Sequence, residues 1–374
     1  MSPKWIQTVR NSRKARRPHL QVLGGVVASA ALAFAGSALA DGCPGDLDGD
    51  AQVGASDLSL LLVSWGGSSK SGADINGDGT VDAADLSSLL MSWGSCITVP
   101  AWATLVEAAP DAAVVTDPAA REAIAETGLA WRVRDAGTGI EMILIPPGTY
   151  DMGCSLLNGG NCSSNQFPRH AITILEAFYI GRYEVTQAEW AGEMGTNPSH
   201  FASVFEAADH PVEMVSHDMI QNFLSSSGLR LPTEAEWEYA YRAGTDTAYH
   251  AGPGFPDGIV SADDIDDIAW HVENVGEIGG PTFSTKKVGT KAANGFGVHD
   301  MSGNVWEWVA DWYGYNYYSS SPTTDPQGPA TGELRVVRGG SWVTPPSLLT
   351  SSNRDNSYPD TVNINLGFRV ARNP

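Results

Sequence analysis

The sequence predicts an irregular α+β protein with a small helical appendage near its start. Three observations lead there. Thr186-Gln187-Ala188-Glu189 and Thr233-Glu234-Ala235-Glu236 are capping boxes, in which a threonine hydroxyl and a glutamate carboxylate satisfy each other's exposed backbone N–H groups at a helix start. Strand-like runs such as "MILIPPGTY" and "HAITILEAFYI" alternate with long Gly-rich, aromatic loops. A 21-residue segment occurs twice, with a period of 28 residues.

The first forty residues carry Lys4, Arg10, Arg13, Lys14, Arg16 and Arg17 and no acid, then an apolar run from Val22 to Ala35 that ends in Ala38-Leu39-Ala40. This is the pattern of a secretory signal cleaved near Ala40, with the product secreted or extracytoplasmic. The apolar run is shorter than the ~20 residues a membrane span needs. Six of the 22 basic residues lie in that segment, so the remainder has 16 basic against 43 acidic residues, a formal charge of −27. Nucleic acid is excluded as a partner on that balance, which favours cations.

Four cysteines in an exported chain are read as two disulfides, although four allow three pairings. Their spacing suggests Cys43 with Cys96 and Cys154 with Cys162, the latter enclosing an Asn-Gly-Gly turn. In an oxidising compartment bridging is favoured over a redox role.

The repeats are "DLDGDAQVGASDLSLLLVSWG" and "DINGDGTVDAADLSSLLMSWG". Oxygen-bearing side chains recur at loop positions 1, 3, 5 and 12: Asp46, Asp48, Asp50 and Asp57, then Asp74, Asn76, Asp78 and Asp85. Gln52 and Thr80 stand at position 7, where the backbone carbonyl serves, and Asp82 adds an oxygen at position 9 of the second loop. This spacing wraps six to eight oxygens around calcium, so two ions are expected. Ala51 replaces the usual turn glycine in the first loop, which should weaken it by about 1 kcal/mol. Each loop precedes one short helix expected to stop at Gly66 or Gly94. One helix per loop resembles the type I dockerin module, over about residues 43 to 96 of the expected module 41–98. That resemblance implies a cohesin-like or envelope partner and attachment to an extracellular polysaccharide-degrading assembly. Where such modules present Ser/Thr before the closing aspartate, this chain has Ala55-Ser56 and Ala83-Ala84.

Residues 99–129 read as a Pro/Ala-rich linker to about Val115, then a short helix capped by Asp117, opened by Pro118 and stopped by Gly128.

From residue 130 to 374 the segments "MILIPPGTYDMG", "FYIGRYEVTQAEW", "NPSHF", "HPVEMVS", "LRLPTEAEWEYAYRAG", "NGFGVHDMSGNVWEWVADW", "RVVRGGSW" and "LGFRVAR" resemble, in order, the signatures of the sulfatase-modifying factor, or formylglycine-generating enzyme, domain. The resemblance implies a compact C-type-lectin-like fold. It implies one further calcium held by the Asp300 and Glu307 side chains and the Gly303 and Val305 carbonyls, an oxygen-only cage suited to that ion. Of Trp306, Trp308 and Trp312, two are expected in the core and Trp306 as a pocket wall.

Oxidising members of that family convert a sulfatase cysteine to formylglycine, using copper held by two cysteines just after the Gly-Gly-Ser-aromatic motif. The corresponding positions here are Thr344 and Leu349, after Ser341. Neither supplies the sulfur that Cu(I) selects, so copper is not expected. His271 and His299, with Trp306 and Ser341, are the pocket candidates. The expectation is a binding module for a peptide or glycan; a formylglycine-generating-type oxidoreductase with a divergent metal site and a scaffold component are the alternatives.

Overall fold

In the computed structural model, residues 43, 45–48, 52–67, 72–155 and 162–374 are described. The expected signal segment and its expected cut near Ala40, the loop residues Asp50 and Ala51, and the Asn-Gly-Gly segment at 158–160 lie outside them. Among the described residues no helix is long and apolar enough to cross a membrane.

The small module contains β1 (Gln52–Val53), α1 (Ala55–Val63), α2 (Ala83–Met91) and β2 (Gly94–Ser95), with β1 antiparallel to β2. Val53, Leu61, Ala73, Val81 and Leu89 form its core, with Cys43 and Cys96 packed against it. Those cysteines are bonded, their Cα atoms 5.5 Å apart. So few apolar residues give a thin core, which the crosslink supplements. The helices stop earlier than the glycine pattern suggested, at Val63 and Met91. Gly66 (φ 74°) instead turns the chain so that its N–H donates to the Val81 carbonyl at 2.9 Å, tying one repeat to the other.

The segment read as a linker supplies a strand. β3 (Ala103–Glu107) pairs antiparallel with β4 (Arg132–Asp135) at the edge of the largest sheet, and Val115 is fully buried. Between them α3 (Pro118–Glu126) is capped by the Asp117 carboxylate, which accepts from the Ala119 N–H at 3.0 Å.

There follow β5 (Glu141–Ile145), β6 (Gly148–Met152), β7 (His170–Ile174), β8 (Phe178–Gly181), α4 (Gln187–Met194), α5 (His217–Ser227), α6 (Glu234–Arg242), β9 (Trp306–Trp312), β10 (Arg335–Arg338), β11 (Arg354–Ser357), β12 (Leu366–Phe368) and β13 (Ala371–Arg372). Sheet orders are β13-β8-β5-β4-β3, β11-β10-β9-β12 and β6-β7. Cys154 and Cys162 are bonded between β6 and β7. Both threonine capping boxes form, at Thr186 and Thr233. α5 was not anticipated: Ser216 caps it, but Met219 occupies the place where an acid would have announced it.

α6 runs through the core and is held there by charge. Glu234 and Glu238, one turn apart, are 2 % and 0 % exposed. Arg354 grips Glu234 with two bonds of 2.7 Å; Arg338 and Arg242 hold Glu238 at 2.6 and 2.8 Å. The arginines come from β10, β11 and the end of α6 itself, so the pairs pin the second sheet to the helix. Removing one member leaves a buried charge uncompensated. Arg338→Met should therefore lower unfolding stability by about 3 to 5 kcal/mol in a denaturant titration; a change within error of zero would contradict the bracing role.

Candidate functional site

Three places gather the candidate residues. In the first loop, carboxylate oxygens of Asp46, Asp48 and Asp57 lie within 4.8 Å of one another. Asp57 is buried, and its carboxylate accepts from the N–H groups of Leu47 (2.6 Å), Asp48 (3.2 Å) and Gly54 (2.7 Å). Burial works against its ionised form, but those amides, Gly54 foremost, hold its pKa below the usual range. Gln52 lies in β1, paired with Ser95.

The second loop repeats the arrangement. Asp85 accepts from Ile75 (2.8 Å), Asn76 (3.1 Å) and Asp82 (2.9 Å), and the Asp82 amide is the chief cause of its lowered pKa. Asn76 Oδ1 accepts from the Asp78 N–H, and Asp78 from the Thr80 N–H and hydroxyl. Asp82 caps α2 through the Ala84 N–H. Asp74 Oδ2 accepts from Gly79 at 3.0 Å, while its Oδ1 is buried with no hydrogen-bond partner. A desolvated carboxylate oxygen without a donor is costly. A cation beside it removes that cost, so the loop fits calcium, whose binding would add positive charge and order to the turn.

The second place is the start of β9. Asp300 (φ 57°), Gly303 (φ 84°) and Asn304 (φ 53°) all take left-handed backbone. At Gly303 a side chain would collide with the Trp270 carbonyl. Asp300, Glu307 and Glu184 are all buried, against one guanidinium, Arg369. Arg369 engages both Glu307 oxygens at 2.6 Å, and Trp237 Nε1 donates to one of them at 2.7 Å. Asp300 accepts from the Gly289 N–H at 2.6 Å, and burial pushes its carboxyl up to about 6. Glu184 accepts from Asn304 Nδ2 at 2.6 Å and the Val305 N–H at 3.0 Å, and burial drives its carboxyl well above the usual range. Arg369 is taken up by Glu307, and Lys291 acts on Asp300 only at longer range. A further cation would therefore offset the burial of Asp300 and Glu184, although the three acids do not close into one cluster as those of the first loop do. Glu184 had no metal-ligand spacing to mark it; it comes from the chain after β8, far from the tryptophan segment.

The third place is the turn after β10. Gly339 (φ 89°) and Gly340 (φ 75°) drive Ser341 inward, and a side chain at Gly340 would overlap Leu349. Ser341 is fully buried; its N–H and Oγ meet Thr344 Oγ1 at 3.0 and 3.1 Å, and Asn365 Nδ2 donates to its Oγ at 3.2 Å. Leu349 is fully buried among Ala248, Tyr249, Ile259, Ile265, Ile268 and Ala269. An alkyl side chain in a dry cluster thus stands beside a hydroxyl pair.

The pocket candidates divide. The Val272 N–H reaches the Thr344 carbonyl at 3.3 Å, which brings the His271 segment to this turn, but His271 Nε2 itself meets Asp266 at 2.8 Å. His299 is elsewhere: its Nδ1 meets the Lys291 carbonyl at 2.8 Å, burial pushes it down to about 4, and it lines a cavity of about 430 Å³ with Arg182. Trp306 packs partly against the core, Trp308 is fully buried, and Trp312 lies half-buried beneath Arg335.

Residues 131–374 match the sulfatase-modifying factor enzyme 1-like domain. The chain belongs to that family. Residues 44–91 match the dockerin type I domain. A formylglycine-generating enzyme of Streptomyces coelicolor is 40% identical over 167 residues, covering 44% of this chain and 52% of the relative. The chaperone protein LppX of Paenibacillus barcinonensis is 30% identical, covering 58% and 88%. Among solved structures, PvdO from Pseudomonas aeruginosa aligns with a TM-score of 0.54 at 27% identity, over 65% of this chain and 98% of that one. The chain spans between half and three fifths of the length of the first formylglycine-generating relatives it matches. The sulfatase-modifying domain is thus an α+β, C-type-lectin-like fold with few helices, joined to a dockerin.

Asp74→Asn keeps the shape of the second loop and removes the charge at its unpartnered oxygen. Calorimetric titration of this variant should show one calcium ion fewer than the parent; an unchanged stoichiometry would count against the loop as a site.

Proposed function

We propose that this is an exported protein in which a calcium-ordered dockerin tethers a sulfatase-modifying factor domain that binds a peptide or glycan instead of oxidising cysteine. The observation that carries the reading is the pair Thr344 and Leu349. Cu(I) needs soft sulfur donors, and a hydroxyl hydrogen-bonded to Ser341 with a leucine in an apolar cluster offers none. Both bonded cysteine pairs suit an oxidising compartment outside the cytoplasm.

The tether has its own support. Leu62, Val63 and Trp65 after the first loop, and Leu90, Met91 and Trp93 after the second, are exposed. Two equivalent apolar sets on neighbouring helices suit a protein partner, and a cohesin-like domain is the partner class that dockerins take. On this reading calcium fills the two duplicated loops and the cage at Asp300, Gly303, Val305 and Glu307.

The test is incubation of the purified protein with Cu(I), oxygen and a Cys-x-Pro-x-Arg peptide, followed by mass spectrometry. The expected product is none. Formylglycine in the peptide would establish the oxidase alternative with a divergent metal site.

A further inference from the structure

A cavity of about 730 Å³ opens on the face formed by α5, β10 and the turn between β7 and β8, using none of the residues of the three places above. Its size is that of a small-molecule pocket. Arg335 lines it, with its guanidinium 3.5 Å above the Trp312 ring and Nη1 donating to the Ala310 carbonyl at 2.6 Å. Its Nε is buried without a partner. The buried arginines Arg242, Arg338, Arg354 and Arg369 each hold a carboxylate, whereas Arg335 forms no ion pair among the described residues.

His217, the first residue of α5, lines the same cavity; it is 4% exposed and its Nε2 has no hydrogen-bond partner. Burial and the neighbouring Arg335 charge push it down to about 4, so it is neutral and can offer an Nε2 proton. Beside Arg335 the wall carries one ion pair and two carboxylates that have no cation partner among the described residues. Arg230 and Glu236 pair at 2.7 Å, Asp325 accepts from the Leu175 N–H at 3.1 Å, and Glu176 is exposed. Phe178, Leu224 and Leu229 make an apolar floor.

We infer that this cavity is a binding site for an organic carboxylate with an apolar body, the carboxylate meeting Arg335 and His217 and the body lying on Phe178, Leu224 and Leu229. A guanidinium is matched to a carboxylate by its planar fork, and the nearby acids Asp311 and Asp218, with Glu176 and Asp325 on the wall, disfavour a doubly charged phosphate more than a monoanion. The inference holds whether or not the domain oxidises cysteine.

Calorimetry of the full chain with N-acetyl-L-phenylalanine and with its C-terminal amide tests this. The acid should bind with a Kd of about 1 mM or tighter, and the amide at least about tenfold more weakly, because it loses the charge-assisted bonds. Arg335→Met, which keeps a side chain over Trp312, should lose the acid while still unfolding in one cooperative thermal transition. Independently, titration of the parent with the acid should shift the His217 ring resonances. Equal affinity for acid and amide, no binding of the acid, full affinity in the variant, or binding that leaves His217 unmoved would each overturn the assignment.

Discussion

The sulfatase-modifying domain depends on carboxylates buried on and beside one helix. Glu234 and Glu238 enter the core on α6 and are answered by Arg354, Arg338 and Arg242; Glu307 on β9 is answered by Arg369. In a domain whose long connections carry little regular structure, these pairs fix where the loops sit. Their cost is desolvation, tolerable only while every partner is present. Trp237 shows how tightly helix and strand are joined, because its ring nitrogen closes the Glu307–Arg369 pair from α6.

That bracing delivers two chemically opposite environments within one strand pair. At the start of β9, carboxylates and left-handed backbone gather oxygen where a hard cation would be at home. After β10, Gly339 and Gly340 bend the chain so that Ser341, Thr344 and Leu349 converge. The second environment has a hydroxyl network on one side and packed alkyl groups on the other. Leu349 is part of the core there, and its carbonyl accepts from the Tyr241 hydroxyl at 2.9 Å.

Much of this was legible in the residues, and for stated reasons. Thr186 and Thr233 announce helices because a capping box is local chemistry that needs no tertiary partner. The loop aspartates are legible because calcium demands oxygen at a set spacing. α5 lacks the capping-box signal, since Ser216 caps it without an acid three residues on, and only the helical spacing of Ile220, Phe223 and Leu224 marks it. β3 hides in a Pro/Ala-rich stretch because its strand character comes from β4 alongside it, not from alternation. Glu184 is invisible in the same way: only the folded chain carries it to the Asp300 neighbourhood. Trp312 looked like core, yet it serves as the platform under Arg335.

The proposed binding role requires that the Ser341 turn offer copper no soft donor set. Titration of the native, disulfide-bonded protein with Cu(I) against a chromophoric chelator measures this directly. Only weak, non-stoichiometric uptake, unchanged by Ser341→Ala, is predicted. One tightly held equivalent of copper that this substitution releases would contradict it.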